Sequence, residues 1–589
     1  MKYLLLPLMT ISTFWAAAGD RYEAEDAIID ENSVLLVEDA NASGGAYVNM
    51  KEGNLSFEIT AASAGFYTLW VFYSQPNDEN GKIQNLTVNG ASKGQVSFPF
   101  SSTFVLEKGS AKIKLSAGTN TIGIVKSWGW VNIDYIELTP YVETPFTISG
   151  GLVTPGASEN AKKMYGFLRD HFQKKIISGV MTNTVFFNDG KYTPSTVEEQ
   201  TEVAWIIDAS GKAPALLGLD FMHGSGLQSD NQWHEGYTAA TLSMAEDIFK
   251  KGGFPAYCWH WKDPLKQVET FYSPSSGNST YTDFNLKRAF TDTATCAEFN
   301  SASAEYKSIV ADIDIIAGYL KTLADKDIPV LWRPMHEASG KWFWWGYSGA
   351  KACVSLYRFM FDRLVNHHGL NNLIWVWTTD EASDALDWYP GDEYVDIVGR
   401  DYYYYPREAN HGSLVASFEK VKDIFKGRKI IALSENGSVP HPDSMVADGA
   451  GWSYFMPWYG DYTMDGWAHD NTAADWNAIM NNDYVITLDK MPGWANYTPT
   501  KIATISHTAS VQSITLIHRK NHIELDGLPA AASVELMDMH GRYLQREPRN
   551  LPAAGRHFLN TGTLAVGLYL IRIRSATNAT VATVPVVIR

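Results

Sequence analysis

The stretch IPVLWRPMHE (Ile328–Glu337) is an apolar run that ends in charged and polar residues. Its length and the helical patterns on either side predict a buried β-strand. Similar apolar runs occur at 175–181, 213–221, 253–261, 372–380, 395–404, 429–436 and 451–458. Amphipathic segments at 303–327 and 350–368 lie between some of these runs and predict helices. Buried strands that alternate with helices in this way indicate a (β/α)8 TIM barrel over residues 142–498.

An open, doubly wound parallel sheet is the alternative architecture for such a pattern. That fold normally carries a glycine-rich phosphate-binding turn directly after its first strand. The sequence has no such turn after residues 175–181, which favours the barrel.

Two β-rich regions flank the barrel. Residues 20–141 alternate apolar and polar residues in short runs such as NLSFEIT and VNIDYIEL, which predicts a jelly-roll-like β-sandwich. Residues 499–589 are β-rich again: SVELMDMHGRYLQ predicts a hairpin with its turn at His-Gly, and GLYLIRIRS predicts a late strand. We therefore expect a multidomain chain with a small β-sandwich at its C-terminal end.

The N-terminus has the pattern of a secretory signal peptide. Residues 1–18 combine a basic residue, an apolar run and a small-residue end, with cleavage expected near Ala18 or Gly19. The three cysteines, Cys258, Cys296 and Cys353, permit one disulfide at most, and their spacing fits no metal site. We expect an exported protein without a disulfide framework.

Composition narrows the class of ligand. The net charge of −17 argues against a nucleic-acid partner. The chain has 20 Trp and 30 Tyr, more than a core usually needs, and their flat faces can stack on sugar rings. A carbohydrate is therefore the expected ligand, although large cores also hold many aromatic residues.

Carboxylates close two of the predicted barrel strands. Glu337 ends the fourth run and Glu435 ends the seventh, and residues at the C-terminal ends of barrel strands converge on one mouth. Two facing carboxylates suit the cleavage of an acetal, one as proton donor and one as nucleophile or base. A salt bridge or a helix cap is the alternative for either glutamate alone.

Two neighbours of Glu337 are further candidates. His336 is expected to orient or hydrogen-bond a carboxylate, with a core histidine as the alternative. Arg333 stands four residues before Glu337, so on one extended strand both would share a face. There its guanidinium would help to keep the partner carboxylate ionised, with a purely structural ion pair as the alternative.

The motifs LWRPMHEASGKWFWWG and ALSENG resemble the catalytic signature of glycoside hydrolase family 26 over roughly residues 145–498. The resemblance implies a retaining endo-β-1,4-mannanase that needs no cofactor for catalysis. It implies Glu337 as general acid/base and Glu435 as nucleophile. The implied substrate-binding residues are Arg333, His336, His260, Trp342, Tyr403 and Trp458.

The sandwich carries a candidate metal site. Glu23 and Glu25 stand at i and i+2, on one face of a predicted strand, and Asp134 lies on the predicted last strand. Three hard oxygen ligands suit a structural Ca²⁺, with solvated carboxylates as the alternative. The segments YEAE and VNIDYIEL resemble carbohydrate-binding module family 35, which favours calcium. This resemblance also implies a sugar site at the loop end, lined by Trp128, Trp130, Asn132 and Tyr47.

The C-terminal region resembles the sorting domains of the type IX secretion system, through VELMDMHGRYLQ and LAVGLYLIRI. The alternative is a further sugar-binding β-module. If the resemblance holds, it implies a protein secreted by, or held on the surface of, a Gram-negative bacterium, with the type IX machinery as a partner.

The expected function is thus that of a secreted enzyme, a monomer, which cleaves internal bonds of mannan, glucomannan or galactomannan. A lichenase, a β-1,3-xylanase or an exo-acting, mannobiose-releasing enzyme is the alternative within the same class. A non-catalytic polysaccharide-binding protein is the remote one.

Overall fold

The computed structural model describes residues 20–29, 34–79, 81–183, 186–188, 191–193 and 196–500, and seven strands between 515 and 588. The chain separates into two compact units, Met1–Thr500 and Lys501–Arg589. The predicted signal peptide at 1–18 lies outside the described residues.

The N-terminal part of the first unit is a β-sandwich of two antiparallel sheets, which confirms the predicted fold. One sheet has the order β3-β4-β11-β6-β9 with β1 on β11, and the other has the order β2-β5-β10-β7-β8. Its strands are β1 Asp20–Glu23, β2 Ile28–Ile29, β3 Leu35–Glu38, β4 Ala46–Asn49, β5 Leu55–Ala61, β6 Gly65–Gln75, β7 Lys82–Val88, β8 Ala91–Phe98, β9 Ser101–Leu115, β10 Gly118–Val125 and β11 Asn132–Pro140.

Alternation along the strands builds the core of the sandwich. On β6, the side chains of Leu69, Val71 and Tyr73 are buried between the sheets, and those of the residues between them face outward. Each buried apolar side chain of this size stabilises the fold by about 1.5–3 kcal/mol.

The second part of the first unit is the predicted parallel barrel. Seven strands form one sheet in the order β13-β16-β17-β18-β19-β20-β21, with parallel neighbours throughout. The strands of this part are β12 Ile176–Ile177, β13 Gly179–Met181, β14 Phe186–Asn188, β15 Lys191–Thr193, β16 Leu216–Asp220, β17 Phe254–Trp259, β18 Val330–Pro334, β19 Leu373–Thr379, β20 Ile397–Tyr402, β21 Ile430–Asn436 and β22 Val485–Ile486.

Helices connect and surround these strands. They are α1 Glu159–His171, α2 Thr201–Ser210, α3 Gln232–Lys250, α4 Ala304–Ala324, α5 Trp344–Tyr347, α6 Ala350–Asp362, α7 Val415–Ile424, α8 Pro442–Asp448 and α9 Ala473–Met480. The predicted helix at 303–327 is α4, and the one at 350–368 is α6 with a π-helical turn over Arg363–His367. In the described part of the chain, no helix has both the length and the apolar character needed to cross a membrane.

The eighth predicted strand, 451–458, closes the barrel without forming a regular strand. On one side, Ser453 N–H donates to the carbonyl of Ile431 at 2.9 Å. On the other side, Phe455 N–H donates to Ile177 at 3.2 Å, and Met181 N–H donates to Pro457 at 2.9 Å. The segment therefore bridges β21 to β12 and β13 through backbone hydrogen bonds, and its C-terminal end reaches the mouth of the barrel.

The sandwich packs directly on the barrel. Strand β9 lies against α7, where the Lys112 ammonium is 3.5 Å from Glu419. Tyr141 Oη donates to the same carboxylate at 2.9 Å. Lys93 on β8 pairs with Asp448 at the end of α8, at 2.8 Å. Because most of these charges are buried and paired, they fix one docking geometry.

The described strands of the second unit form two antiparallel sheets, β23-β24-β27 and β26-β25-β28-β29. They are β23 Thr515–His518, β24 His522–Asp526, β25 Ser533–Asp538, β26 Tyr543–Arg546, β27 His557–Asn560, β28 Gly567–Arg574 and β29 Thr580–Ile588. Strands β25 and β26 form the predicted hairpin, whose turn lies outside the described residues, and β28 is the predicted late strand.

Candidate active site

The backbone turns sharply between β18 and the first candidate glutamate. Strand β18 ends at Pro334, and Met335 and Glu337 both adopt the left-handed conformation, each with φ of 53°. The prediction that the strand continues to Glu337 is therefore wrong, and so is the inference that Arg333 and Glu337 share a strand face. Such a conformation is costly for residues with a side chain.

Arg333 lies at the centre of the mouth, 4% exposed. Its Nη1 donates to Asp401 Oδ2 and its Nη2 to Glu435 Oε2, each at 2.6 Å. Asp401 also accepts from Ser434 Oγ at 2.6 Å. Since Asp401 and Glu435 are paired across β20 and β21, one guanidinium bridges two carboxylates on neighbouring strands.

Glu435 is held at both oxygens. Arg333 contacts Oε2, and Tyr403 Oη donates to Oε1 at 2.7 Å. Tyr403 is half-buried, and the loss of solvent around its phenol, followed by the charge of Glu435, raises the pKa of that phenol well above the ordinary value. This hydroxyl therefore keeps its proton and acts as a donor. These two bonds orient the carboxylate as a nucleophile requires.

Glu337 has a different environment. Burial, followed by the negative charge of Glu435, raises its pKa well above the ordinary value. Trp342 Nε1 donates to its Oε2 at 3.0 Å. One oxygen each of Glu337, Asp401 and Glu435 lie within 4.8 Å of one another. The site thus pairs a carboxyl that favours its proton with a carboxylate that is bound to a guanidinium.

Two histidines line the same mouth. The backbone N–H of His260 donates to the buried Asp220, and the ring nitrogen Nδ1 contacts the same carboxylate at 2.5 Å. The His260 ring lies 4.6 Å from the His336 ring. Burial lowers the pKa of His336 well below its ordinary value. Its Nδ1 is buried without a hydrogen-bond partner among the described residues, so the expected bond to a carboxylate is not made there. Trp458 lies 5.7 Å from the His260 ring.

The four tryptophans in residues 330–346 have different surroundings. Trp332, Trp344 and Trp345 are fully buried, and Trp345 Nε1 donates to the carbonyl of His336 at 2.9 Å. Trp342 is 39% exposed beside Glu337. The polar loop at 269–285 is anchored here by the Ser273 N–H, which donates to the carbonyl of Trp342 at 2.8 Å.

The predicted metal ligands of the sandwich also come together. One oxygen each of Glu23, Glu25 and Asp134 lie within 4.8 Å of one another, and each residue has a buried oxygen without a partner among the described residues. A Cβ at Gly44 would lie 1.9 Å from Glu25 Oε1, and Gly44 has φ of 67°, so only glycine fits this wall. Orphaned carboxylate oxygens in a tight cradle fit a cation such as Ca²⁺.

The geometry of this cluster differs from the prediction in one respect. Strand β1 ends at Glu23, and a 3-10 turn over Ala24–Asp26 carries Glu25. The two glutamates therefore do not share a strand face, and the turn brings their carboxylates together instead. Burial raises the pKa of Glu25 and of Asp134.

The four predicted sugar-site residues of the sandwich are dispersed. Val48 and Ile133 are core residues, so their neighbours Tyr47 and Asn132 face outward on paired strands. Asn132 Nδ2 donates to Ser74 Oγ at 3.0 Å, while its Oδ1 is buried without a partner among the described residues.

The two tryptophans of the loop before β11 lie elsewhere. Trp130 is 42% exposed, and its Nε1 donates to Glu52 at 3.0 Å. Trp128 packs its ring against Tyr405 of the barrel, with centroids 5.1 Å apart. The structure thus places Trp128 at the contact between sandwich and barrel, not beside Asn132.

The sequence alone did not indicate a role for three residues of the site, Asp401, Asp220 and Ser434. Asp401 and Asp220 stand at predicted strand ends, yet the partners that they hold, Arg333 and His260, follow only from the three-dimensional arrangement. Ser434 gives no sequence signal of its own, since a strand serine next to a glutamate is common.

Known proteins share this architecture. Residues 153–490 match the model described as glycosyl hydrolase family 26, and residues 20–141 match carbohydrate binding module family 35. A mannan endo-1,4-β-mannosidase of Thermothelomyces thermophilus is 33% identical over 490 residues, which are 81% of this chain and 92% of the relative.

Two solved structures resemble the chain as well. The crystal structure of a Podospora anserina GH26-CBM35 β-(1,4)-mannanase has a TM-score of 0.52 and 33% identity, covering 81% of this chain and 99% of its own. A β-mannanase from a symbiotic protist of the termite Reticulitermes speratus, complexed with gluco-manno-oligosaccharide, has a TM-score of 0.53 and 43% identity. It covers 59% of this chain and 100% of its own.

Proposed function

The chain belongs to glycosyl hydrolase family 26, and on that premise we propose that it is a secreted, retaining endo-β-1,4-mannanase. The observation that carries the proposal is the pair Glu337 and Glu435, whose carboxylate oxygens approach within 4.8 Å at the mouth of the barrel. Retaining glycosidases hold their two carboxyl groups roughly 5–5.5 Å apart, whereas inverting enzymes need a wider gap for a water molecule.

The different environments of the two glutamates support their roles. Glu337, with its raised pKa, donates a proton to the glycosidic oxygen as the bond to the anomeric carbon breaks. Glu435, oriented by Arg333 and Tyr403, attacks that carbon and forms the glycosyl–enzyme ester. Glu337 then takes a proton from water, whose oxygen displaces Glu435 and releases the sugar.

The substrate class rests on the relatives. Those compared above are named mannan endo-1,4-β-mannosidase or β-mannanase, and we extend this activity to the chain. Trp342 and Trp458 supply flat apolar faces beside the two carboxylates, where a pyranose ring can stack. His260, held by Asp220, presents its other nitrogen for a sugar hydroxyl.

The test is product analysis on linear β-1,4-mannan beside lichenan and β-1,3-xylan. We expect a ladder of manno-oligosaccharides from mannan, with the β-configuration retained in the first product by NMR. Mannobiose alone would indicate exo action, release from lichenan or xylan would move the substrate class, and an inverted product would contradict the double displacement. The Glu435→Gln variant is the control for contaminating activity.

For the sandwich we propose a structural Ca²⁺ at Glu23, Glu25 and Asp134, and a sugar site at Tyr47 and Asn132. The unpartnered carboxylate oxygens support the ion. The unpartnered Asn132 Oδ1 and the outward-facing Tyr47, on neighbouring strands, support the sugar site. Affinity electrophoresis in mannan tests the second point: Asn132→Ala should lose retardation, and unchanged migration would contradict it.

We also propose export from a Gram-negative cell through the signal peptide at 1–18 and the C-terminal region as a type IX sorting domain. The support is the sequence resemblance described above. Expression in a host with that machinery should place the full chain outside the cell, and a chain ending at 498 should stay in the periplasm. Equal export of both would contradict the sorting role.

A further inference from the structure

The sandwich contacts the loop that carries Tyr403, the tyrosine that donates a hydrogen bond to Glu435. This loop, residues 403–414, runs from β20 to α7. At its start Tyr403 Oη donates to Glu435 Oε1 at 2.7 Å. Two residues later, Tyr405, which is 61% exposed, contacts the sandwich. A displacement of the loop at Tyr405 would therefore change the hydrogen bond from Tyr403 to Glu435.

Three side chains of the sandwich hold Tyr405. Ser127 Oγ donates to the Tyr405 carbonyl, and Gln95 Nε2 donates to the same oxygen at 3.4 Å. The Trp128 ring packs on the Tyr405 ring, with centroids 5.1 Å apart. The backbone and the ring of one loop residue are thus bound from outside the barrel.

Neighbouring contacts extend this hold along the loop. Tyr402 Oη donates to Gln95 Oε1 at 3.4 Å, so Gln95 contacts residues on both sides of Tyr403. Asn85 Nδ2 donates to Glu408 Oε1 at 3.4 Å, and Asn85 Oδ1 accepts from Gln95 Nε2 at 2.8 Å. These contacts surround the tyrosine that orients Glu435.

The sandwich loop that makes these contacts is itself rigid. The fully buried Gln84 accepts from the N–H groups of Ser127 and Gly129, at 2.8 and 3.2 Å. Its Nε2 donates to the Gly129 carbonyl at 3.0 Å. A loop fixed by three bonds to one buried amide can transmit the position of the sandwich to the barrel.

The barrel also holds the loop farther along, at Arg407, Asn410 and His411. Arg407 pairs with Asp470 at 2.7 Å and lies 3.6 Å over the Tyr462 ring, which in turn contacts Tyr403 at 5.1 Å. The hydrogen bonds found at the Tyr405 backbone among the described residues come from the sandwich, through Ser127 and Gln95.

We propose that Ser127, Gln95 and Trp128 of the sandwich are positioning residues for hydrolysis in the barrel, acting through Tyr403 on Glu435. The sandwich then contributes to the turnover of substrates too short to reach any sugar site of its own. This inference rests on the proposed function. Its physical basis is that hydrogen-bond strength falls steeply with distance and angle, and that small misplacements of a catalytic group are expensive.

The test compares variants of the full chain on a short activated substrate, an aryl β-manno-oligoside. Ser127→Ala and Trp128→Ala should each lower kcat roughly 10-fold with little change in KM, the effect expected for one lost oriented hydrogen bond or contact. Ser127→Thr, which keeps a hydroxyl, should restore kcat. Ser101→Ala is the matched control, because Ser101 Oγ also donates to a carbonyl in the sandwich, that of Thr103, without touching the barrel.

A double-mutant cycle with Tyr403→Phe tests the route. If Ser127 acts through Tyr403, adding Ser127→Ala to Tyr403→Phe should lower kcat by less than 2-fold further, since interacting residues are not additive. Full additivity of the two effects, an unchanged kcat in Ser127→Ala, or a rise in KM alone would overturn the proposal.

Hydrogen exchange gives a reading that does not depend on activity. Amides of residues 403–410 should exchange faster in Ser127→Ala and Trp128→Ala than in the unmodified chain, and not in Ser101→Ala. Unchanged exchange would overturn the proposal. An unmodified chain that cleaves no β-mannoside would instead contradict the proposed function, while the exchange rates would still decide whether the sandwich holds the loop.

Discussion

Two clusters of three carboxylates, one in the barrel and one in the sandwich, have the same spacing and opposite electrostatics. In each cluster, one oxygen from each residue lies within 4.8 Å of the others. The barrel cluster of Glu337, Asp401 and Glu435 contains the guanidinium of Arg333. In the sandwich cluster of Glu23, Glu25 and Asp134, each residue keeps a buried oxygen without a partner among the described residues.

The difference shows how a fold manages repulsion between buried acids. An internal cation on the barrel side supports two carboxylates and leaves the third, Glu337, to hold a proton. The sandwich side offers its free oxygens to an ion from solution. On the proposed function, the same residue type would serve proton transfer in one place and ion binding in the other, depending on whether the positive charge is covalently part of the chain.

The largest effect should come from Glu435→Gln. The amide has nearly the same shape but cannot form the ester, so kcat/KM on mannan should fall by roughly 10⁴-fold or more. Reducing-sugar release measures it. The matched control is Glu381→Gln. This glutamate follows β19, pairs with Arg400 at 2.9 Å, and is not part of the cluster of Glu337, Asp401 and Glu435. Comparable loss in both variants would count against the nucleophile.

Glu337→Ala should lower kcat on mannan by about 10²–10⁴-fold, the usual contribution of a general acid. The effect should be smaller on aryl glycosides with good leaving groups, and azide should partly restore the rate.

The raised pKa of Glu337 also sets a pH dependence. Because the acid form persists to higher pH than for an ordinary glutamate, wild-type kcat/KM should decline only as pH rises through that raised value. In Glu337→Ala on an activated substrate, this alkaline decline should vanish. A decline that survives the substitution would assign the proton to another group.

Arg333→Met tests the internal cation. The variant leaves Asp401 and Glu435 buried and close together without positive charge, which should lower the free energy of unfolding by about 3–5 kcal/mol. Thermal unfolding measures it. Arg333→Lys keeps the charge but loses the two-pronged contact, so it should cost less. Equal loss in both would show that geometry, not charge, decides.

Chelation tests the sandwich cluster. Removing Ca²⁺ should destabilise the first unit, by about 2.7 kcal/mol if the ion is present at a hundred times its dissociation constant. Asp134→Asn should lose this response to chelator. A melting temperature that chelator does not change in the unmodified chain would contradict the ion.

The pH dependence of the metal-free protein should have the opposite sign to that of the loaded one. Without the ion, the raised pKa values of Glu25 and Asp134 mean that the folded state holds protons more tightly than the unfolded chain. The free energy of unfolding should then rise as pH falls through those raised pKa values. The full gain should be present below the ordinary pKa values, 4.5 for Glu25 and 3.8 for Asp134. With Ca²⁺, protons compete for the ligands, so acid should destabilise.

The smallest effect should come from Trp342→Phe. This change keeps an apolar ring but removes the indole donor to Glu337, so kcat should fall roughly 10-fold or less. Trp130→Phe, in the sandwich, is the matched control for losing an indole donor to an exposed glutamate, Glu52. An equal effect on kcat in both would remove Trp342 from the site.

Much of the fold could be predicted because burial leaves a periodic trace. The continuous apolar runs of the barrel and the alternation in the sandwich each follow from which faces are covered. The eighth run, 451–458, was harder, since apolar composition predicts burial but not whether Pro457 allows regular pairing. Its backbone instead joins β21 to β12 and β13 through hydrogen bonds without forming a regular strand.

The candidate site was predictable to the level of strand ends. Glu337 and Glu435 could be placed at one mouth by position alone, but the left-handed turns at Met335 and Glu337 have no periodic signature. Likewise, spacing placed Glu23 and Glu25 on one strand face, whereas a local 3-10 turn decides their meeting. The contact of Trp128 with Tyr405 joins two domains and leaves no trace in either segment.

The closure of the barrel has a consequence for its synthesis. Strand β12 pairs in parallel with β22, Ile176 opposite Val485, and the bridging segment 451–458 is made late. Until then, β13 and β21 have open edges that can pair with other chains. A nascent chain that stops before residue 451 should therefore aggregate or recruit chaperones, however well its sandwich has formed. The segment 451–458, which covers the open edges of β13 and β21, is therefore synthesised after both strands that it protects from pairing with other chains.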